Sequence, residues 1–260
     1  MNYLESYYSQ YDEEGRLLSQ HGRVEYITTQ RYIHTFLAED RNKKILEVGA
    51  GTGRYSVALA REGYSVTAVE LTEHNLAILR AKLDGTEDIR ALQGNALDLS
   101  RFEDESFDLT LLLGPMYHLY SKEEKLRALK EAVRVTKRGG VIMVAYCMNE
   151  PTVVQYVFGT GKLREVLDSH MLTEDWHCIS EPKDLFEMIR PEEIAALDEE
   201  AGVERIRLVA TDGATNYMRA VVDAMDEETF AKWVEYHLAT CERQDLVGAS
   251  HHTLDILRRP

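Results

Sequence analysis

The chain of 260 residues has 45 acidic and 30 basic side chains, which gives a formal net charge of −15 at pH 7. This balance leaves no basic surplus for a phosphate backbone, so DNA and other large nucleic acids are disfavoured as partners. The three cysteines are far apart and form no C-x-x-C pair, and no apolar run approaches the ~20 residues that cross a bilayer. We therefore expect a cytoplasmic protein without a disulfide framework, a zinc ribbon or a membrane partner.

Residues 1–40 are predicted to form N-terminal helices that also cover a ligand. Tyr3, Tyr7, Tyr8 and Tyr11 are clustered near the start of the chain. Tyrosine combines apolar area with a polar tip, so a segment rich in it could fold over a small ligand and exclude water. Packing of these rings on the domain is the alternative. From residue 24 to 38, apolar residues at helical spacing predict a helix beside the first strand.

The most informative stretch is residues 43–61, KKILEVGAGTGRYSVALAR. It reads as a short apolar strand at 45–48, a turn containing Gly49, Gly51 and Gly53, and a helix. Glycine permits positive φ and close approach of a ligand to the main chain, and the first N–H groups of the helix face that ligand. The pattern therefore predicts a cradle for a nucleotide or a nucleoside.

The end of the second predicted strand, at residues 65–69, supports this interpretation. The strand is followed by Glu70, nineteen residues after Gly51. In doubly wound folds an acidic residue ~20 positions after the glycine turn binds a ribose hydroxyl. An exposed strand-end carboxylate is the structural alternative. A dinucleotide loop requires G-x-G-x-x-G, but Arg54 stands at the sixth position here, so NAD is the minority interpretation.

Two further strands are predicted, at residues 89–93 and 107–113. The second is almost continuously apolar, as expected of a strand buried on both faces at the centre of a sheet. Ligands of doubly wound sheets bind beyond the carboxyl ends of the strands, near the point where the strand order reverses. The loop after this strand contains Tyr117 and His118, which we identify as candidate catalytic residues. His118 could accept a proton, and Tyr117 could shape or hydrogen-bond the substrate.

The second half of the chain is predicted to add one helix, two strands and two helical insertions to this core. A helix from Ser121 to 135 leads into a strand at 141–146, and the insertions cover residues 148–190 and 212–248. Between them lie a helix at 191–202 and a strand at 203–211. The last strand, at 252–257, alternates apolar and polar residues, which predicts a less buried position. Apolar residues of the first insertion either line a cavity or form its own core; they are Met148, Tyr156, Phe158, Met171, Trp176, Phe186 and Met188.

His251 and His252 resemble a pair of metal ligands. Neighbouring residues of a strand point to opposite faces, so we expect that these two side chains do not share one ion. The segment 175–178, which contains His177 and Cys178, also resembles a set of metal ligands, and we expect no metal site there either. The sequence therefore predicts no metal site.

Residues 41–147 resemble the class I S-adenosylmethionine-dependent methyltransferases. The resemblance rests on LEVGAGTGRYS as the first motif, on Glu70 as the acidic end of the second, and on the turn GNALDL, residues 94–99, as the third. It implies an α/β fold with a doubly wound, mostly parallel seven-stranded sheet, a Rossmann-like methyltransferase fold with helical lid insertions. Together with the lack of a linker or repeat, this suggests a single domain over 1–260, with 41–147 as the cofactor-binding core.

The resemblance also implies S-adenosylmethionine as the cofactor. The residues that match its binding motifs are Gly49, Ala50, Gly51, Gly53, Glu70, Leu71, Asn95, Ala96 and Leu113. At the position of Asn95 the family commonly has an aspartate that accepts a bond from the adenine amino group; an amide oxygen can do the same, and a simple turn asparagine is the alternative. Arg16 or Arg23 is a candidate partner for the methionine carboxylate.

The acceptor is less well defined by the sequence. No N-P-P-Y, D-P-P-Y or Pro-Cys motif follows the central strand, which disfavours adenine, glutamine and cytosine-C5 acceptors. We therefore expect methyl transfer to a nitrogen, oxygen or sulfur atom of a small-molecule substrate. A protein or RNA methyltransferase, a non-catalytic S-adenosylmethionine-binding protein and an NAD-linked oxidoreductase are alternatives. The sequence leaves the oligomeric state open.

Overall fold

The computed structural model describes residues 3–11 and 13–260, so residues 1, 2 and 12 of the predicted N-terminal segment lie outside the described part. The described residues form one seven-stranded sheet in the order β3-β2-β1-β4-β5-β7-β6. Its strands are β1 Lys44–Val48, β2 Ser65–Glu70, β3 Ile89–Gln93, β4 Phe107–Leu112, β5 Thr136–Cys147, β6 Glu204–Ala210 and β7 His252–Arg258. The predicted mostly parallel, doubly wound sheet is confirmed: β7 is antiparallel to both of its neighbours, whereas β1 to β5 pair in parallel.

The helices of the described residues are α1 Tyr3–Tyr8, α2 Glu13–Arg16, α3 Gln20–Leu37, α4 Arg54–Arg61, α5 Glu73–Ala81, α6 Lys122–Val135, α7 Asn149–Thr152, α8 Leu163–Asp168, α9 Pro191–Ala201, α10 Arg219–Asp223 and α11 Glu227–Thr240. Short helical segments of 3₁₀ or π type cover Pro115–His118, Val153–Phe158, Pro182–Asp184, Gly213–Met218 and Val247–Ala249. Short helices thus occupy residues 148–190, as predicted, although the division of the chain into a core and insertions stays a prediction.

Local signals explain where several elements begin. Ser121 caps α6, because its hydroxyl accepts from the Glu124 N–H while the Glu124 carboxylate returns to the Ser121 backbone, a complete capping box. Thr72 occupies the N-cap position of α5, but its hydroxyl donates to Glu70 at 2.8 Å and does not cap the helix. The structure therefore uses Thr72 to hold the carboxylate at the end of β2.

The strand β4 lies in the middle of the sheet and is almost wholly buried, which confirms the prediction from its apolar run. The strand order reverses between β1 and β4, so the loops after these strands meet at the carboxyl edge. This edge positions the glycine turn opposite the segment that contains Tyr117 and His118.

The prediction of a less buried final strand is wrong. The strand β7 lies between β5 and β6, and its residues 253–257 are buried. The polar residue that produced the alternation, Asp255, is fully buried and accepts hydrogen bonds from Arg205 at 2.9 and 3.2 Å. An ion pair inside the sheet thus gives β7 the sequence pattern of a half-exposed strand.

Candidate functional site

A cavity of about 260 Å³ opens at the carboxyl edge of the sheet. Its walls are the loops that follow β1, β2, β3 and β4, so four strand ends contribute to one site. Of the nine predicted cofactor residues, eight line this cavity: Gly49, Ala50, Gly51, Glu70, Leu71, Asn95, Ala96 and Leu113. The exception is Gly53.

The glycine turn after β1 is held by its own backbone bonds. The N–H groups of Gly49 and Ala50 both donate to the carbonyl of Val69, at 2.8 and 3.0 Å. Gly53 begins α4 with φ +83°, and a Cβ there would lie 2.6 Å from the Leu79 side chain. Gly53 therefore permits close packing of the helices behind the cavity, whereas the other two glycines of the turn face the cavity.

The carboxylate of Glu70 is buried and joins two loops. Its Oε2 accepts from the Gly51 N–H at 2.8 Å, and its Oε1 accepts from the Thr72 N–H and hydroxyl at 2.9 and 2.8 Å. A carboxylate oxygen has two acceptor positions, so Oε2 keeps one for a ligand that enters the cavity. The exposed strand-end alternative does not describe this side chain, which is 5% exposed.

The turn after β3 gives a mixed result for the predicted adenine contacts. The Asn95 side-chain oxygen accepts from the Leu97 N–H at 2.9 Å, which is the turn role that the sequence left as an alternative. Ala96 is buried against the cavity, and Leu71 faces it from the end of β2. An adenine contact by Asn95 stays a prediction, because only its second lone pair is left for it.

Residues of the N-terminal segment cover the smaller cavity. Leu4, Tyr8, Arg16 and Leu17 belong to its lining. Glu14 ties this segment to the glycine turn: it accepts from the Thr52 hydroxyl at 2.7 Å and pairs with Lys82, which also donates to the Thr52 carbonyl at 2.7 Å. The segment thus lies where a lid would lie, and its role in excluding water stays a prediction.

Of the two arginines considered for the methionine carboxylate, Arg16 lines both cavities of this site and Arg23 lines neither. Its guanidinium bonds to the Glu25 carboxylate at 2.8 and 3.3 Å. Arg23 instead lies over the Phe230 ring at 4.9 Å. The structure therefore separates the two candidates by position.

His118 and Tyr117 are brought to the same wall of the site. His118 Nδ1 bonds to the carbonyl of Leu185 at 2.7 Å, so Nδ1 carries the proton and Nε2 is the acceptor. The Tyr8 hydroxyl lies 2.9 Å from that Nε2, and the Tyr117 hydroxyl donates to the Leu113 carbonyl at 3.1 Å. Burial lowers the pKa of His118 to about 4, against which the bond to Leu185 acts only in part. The imidazole is therefore neutral near pH 7.

A larger cavity of about 620 Å³ adjoins the smaller one. Tyr8, Arg16 and Tyr117 line both, so these three side chains form the shared wall. Near this wall the larger cavity is aromatic: Tyr7 and Tyr117 each lie 5.9 Å from Phe186, ring centre to ring centre. A cavity of this size with an aromatic wall suits a small molecule.

A polar cluster forms another part of the larger cavity. It contains Glu25, Asp212, His251 and His252, with Arg16 beside Glu25. Burial raises the pKa of Asp212, but the hydrogen bond and charge of His252 outweigh burial and hold this pKa below its ordinary range. Burial also opposes a charge on His252, yet Glu25, then Cys147 and Asp212, raise its pKa well above the usual value. Burial lowers the pKa of His251 to about 4.

The reason given for separating His251 from His252 is wrong. His251 precedes β7, so strand alternation does not apply to it, and the two rings lie side by side with centres 4.7 Å apart. The segment 175–178 behaves differently, since His177 bonds to Glu193 at 2.8 Å and does not line the cavity.

Four of the seven apolar residues of the segment 148–190 have the predicted cavity position, and of the seven only Met171 also packs on a small core of the segment itself. Tyr156, Met171, Phe186 and Met188 line the larger cavity. Met148 is buried in the main core, while Phe158 and Trp176 are exposed and lie 5.7 Å apart, ring centre to ring centre.

Sequence reasoning missed several site residues. Asn75 lines the smaller cavity from α5, and its buried side-chain oxygen has no hydrogen-bond partner among the described residues. The polar cluster was missed as a unit because Glu25, Asp212 and His252 come from opposite ends of the chain. The one sequence signal that could have identified Asn75 as a site residue was its position at the start of a helix, five residues after Glu70.

Comparisons with known proteins agree with this fold. A family profile described as a methyltransferase domain matches residues 46–144. A demethylmenaquinone methyltransferase of Clavibacter sepedonicus is 32% identical over 144 residues, which are 55% of this chain and 56% of that protein. A ubiquinone biosynthesis O-methyltransferase of Pseudomonas syringae pv. tomato is 28% identical over 163 residues, which are 62% of this chain and 65% of that protein. The chain thus spans less than two thirds of each.

A solved S-adenosylmethionine-dependent methyltransferase from Thermotoga maritima has the same fold over nearly the whole length. It superimposes with a TM-score of 0.62 at 21% identity and covers 99% of both chains. No helix among residues 3–11 and 13–260 is long and apolar enough to span a bilayer. The matched profile thus shows a methyltransferase domain over residues 46–144, and the chain has the fold of a solved S-adenosylmethionine-dependent methyltransferase.

Proposed function

We propose that the protein transfers a methyl group from S-adenosylmethionine to a nitrogen, oxygen or sulfur atom of a small molecule. The observation that supports this most strongly is the pair of adjoining cavities. The smaller is built by the family's cofactor motifs, and the larger shares Tyr8, Arg16 and Tyr117 with it. A donor in one and an acceptor in the other would meet at that shared wall.

The residues of the smaller cavity fit the cofactor. Gly49 has φ +76°, and a Cβ there would lie 2.6 Å from Pro115. Only glycine at this position therefore allows the turn to pack directly against the loop after β4. Glu70 Oε2 keeps an acceptor position for a ribose hydroxyl, and the unpartnered Asn75 oxygen offers a second buried acceptor. When bound, the cofactor supplies a methyl group that its sulfonium already activates.

The chain itself then has to align the acceptor, exclude water and hold a proton where one is released. Alignment of this kind can supply ~7–11 kcal/mol of the barrier, whereas a general base typically adds 10²–10⁴-fold. His118 Nε2 is the acceptor nitrogen of a neutral imidazole and lies against the Tyr8 hydroxyl. Its low pKa makes it a weak base, so we assign it first to hydrogen bonding at the shared wall.

The lining of the larger cavity favours an acceptor with a flat apolar part and a polar group. Tyr7, Tyr117 and Phe186 supply aromatic surface near the shared wall, and Glu25, Arg16 and the histidines supply polar partners. The names of the two curated relatives, which refer to demethylmenaquinone and to ubiquinone biosynthesis, also support a ring-bearing acceptor.

A turnover assay tests this proposal. Purified protein is supplied with S-adenosylmethionine and a panel of phenols, quinols, amines and thiols, and the release of S-adenosylhomocysteine is measured. We expect turnover with at least one ring-bearing acceptor and its loss in Glu70→Ala. Stronger thermal stabilisation by NADH than by S-adenosylhomocysteine would support an oxidoreductase instead. Binding of S-adenosylmethionine without turnover of any acceptor would support a non-catalytic binding protein.

A further inference from the structure

We propose that the polar cluster of the larger cavity binds one divalent transition-metal ion of the zinc type, through Asp212, His251 and His252. This inference goes beyond methyl transfer and does not depend on it. Imidazole and carboxylate donors suit zinc and its first-row neighbours, and three protein ligands leave further positions open to the cavity.

The geometry of the three side chains is close to that of a coordination site. One donor atom from each of Asp212, His251 and His252 lies within 4.8 Å of the other two. His252 Nδ1 is 2.8 Å from Asp212 Oδ2 and 3.6 Å from Glu25 Oε2, so Glu25 is placed as an additional ligand. Bonds of about 2.0–2.2 Å to a central ion place tetrahedral ligand atoms about 3.4 Å apart. Small side-chain movements are therefore sufficient to bind an ion.

An independent observation points to a missing ligand. The Nδ1 atom of His251 is buried and has no hydrogen-bond partner among the described residues. An unsatisfied buried polar atom costs about 1–3 kcal/mol, and this one lines the same cavity as the other two ligands. A metal ion within the cluster would satisfy it.

Hydrogen bonds to both oxygens hold the Asp212 carboxylate in place, and only the one from His252 Nδ1 would be given up to an ion. Asp212 Oδ1 accepts from the Ser250 hydroxyl at 2.7 Å and from the His252 N–H at 3.1 Å, and Asn216 bonds to Oδ2. Hydrogen bonds of this kind orient the ligands of metal sites. On binding, the ion would replace the proton between His252 Nδ1 and Asp212 Oδ2, and that proton would leave to solvent.

The histidine–carboxylate pairs His177–Glu193 and His34–Glu62 do not belong to such a group. His177 bonds to Glu193 at 2.8 Å and His34 to Glu62 at 2.7 Å, each as a single pair near the surface. Among the described residues, only Asp212, His251 and His252 form a group of three or more potential metal ligands. The pair His177–Glu193 therefore provides a matched control.

Zinc binding to the full chain tests the inference directly. Protein stripped with a chelator and dialysed is titrated with Zn²⁺ by calorimetry, and Co²⁺ is used as a visible-absorption probe of coordination. We expect one ion per chain in the wild type and about tenfold or greater weakening in both His251→Gln and Asp212→Asn, by analogy with ligand-shell substitutions. His177→Gln should bind as the wild type does. Circular dichroism establishes that each variant is folded.

His251→Gln decides the question if Asp212→Asn does not fold, because the His251 Nδ1 atom has no bond to lose. The inference is overturned if the folded wild type takes up no Zn²⁺, or if His251→Gln binds it as tightly as the wild type. It is also overturned if the loss occurs in His177→Gln instead.

Discussion

Replacing Gly49 by alanine tests whether the glycine turn and the loop after β4 meet as the structure shows. Gly49 has φ +76°, and an added Cβ would lie 2.6 Å from Pro115 Cδ and 2.9 Å from Cγ. Both residues line the smaller cavity. The substitution should therefore strain the backbone and also push two walls of the cavity apart.

The magnitude follows from these two effects. Left-handed backbone costs a residue with a Cβ about 1–2 kcal/mol, and forced overpacking adds about 1–3 kcal/mol. Gly139 provides the control, because its φ is +72° but no atom lies within 4 Å of the added Cβ. We expect Gly49→Ala to lower the free energy of unfolding by about 2–5 kcal/mol, and Gly139→Ala by only about 1–2 kcal/mol.

Urea unfolding of both variants, with the m value fixed to the wild type, measures the difference. Calorimetry with S-adenosylhomocysteine on the folded fraction should show about tenfold or greater loss of affinity for Gly49→Ala, equivalent to about 1.4 kcal/mol, and no loss for Gly139→Ala. Equal destabilisation of the two variants would refute the reasoning, because the contact with Pro115 would then carry no energy.

Three further predictions follow from the structure. Burial lowers the pKa of His118 to about 4 in the folded protein. Below pH 6.5, about the ordinary pKa of histidine, the unfolded chain therefore binds a proton that the folded chain does not, and the free energy of unfolding should decrease as the pH falls from about 6.5 to about 4. His118→Gln should remove this pH dependence of the urea midpoint. A rate profile with an inflection near pH 6.5 that His118→Gln abolishes would contradict the low pKa. Arg205→Met leaves Asp255 and Asp198 buried without their partner, which should lower the free energy of unfolding by about 3–5 kcal/mol. The loss should be larger at pH 8 than at pH 5, because burial raises the pKa of both carboxyls despite Arg205. A loss below about 1 kcal/mol would argue against that ion pair. Ser121→Ala removes the capping box of α6 and should lower the free energy of unfolding by about 1 kcal/mol, and an unchanged urea midpoint would show that the cap is not formed.

The smaller cavity was largely predictable because its parts are local. The strand, the glycine turn and the helix of residues 43–61 follow one another, and parallel strands deliver Glu70 and Leu113 to the same edge. Two predicted cofactor residues have a structural role as well, since Gly53 packs against Leu79 and the Asn95 oxygen accepts a hydrogen bond within its turn; their contacts with the cofactor stay predictions. Neither role is visible without the neighbouring loops.

The polar cluster of the larger cavity could not be predicted because distant segments build it. Glu25 from α3, Asp212 after β6 and His252 of β7 meet only after the sheet has formed. The wrong prediction for the burial of β7 has a related cause. A carboxylate at position 255 is typical of an exposed strand position, and only the pairing of β6 with β7 shows that Arg205 forms an ion pair with it. Periodicity reports the average environment of a strand and not its ion-pair partners.

Binding of S-adenosylhomocysteine by isothermal calorimetry tests the central claim most directly. The account predicts saturable binding at one site per chain. Glu70→Ala, which loses the bonds to Gly51 and Thr72, should bind about tenfold or more weakly. Glu73→Ala should bind as the wild type does, because the Glu73 side chain is 59% exposed and does not line the cavity. Folded wild-type protein that produces no binding heat at several temperatures, or a Glu70→Ala variant with the affinity of the wild type, would contradict it.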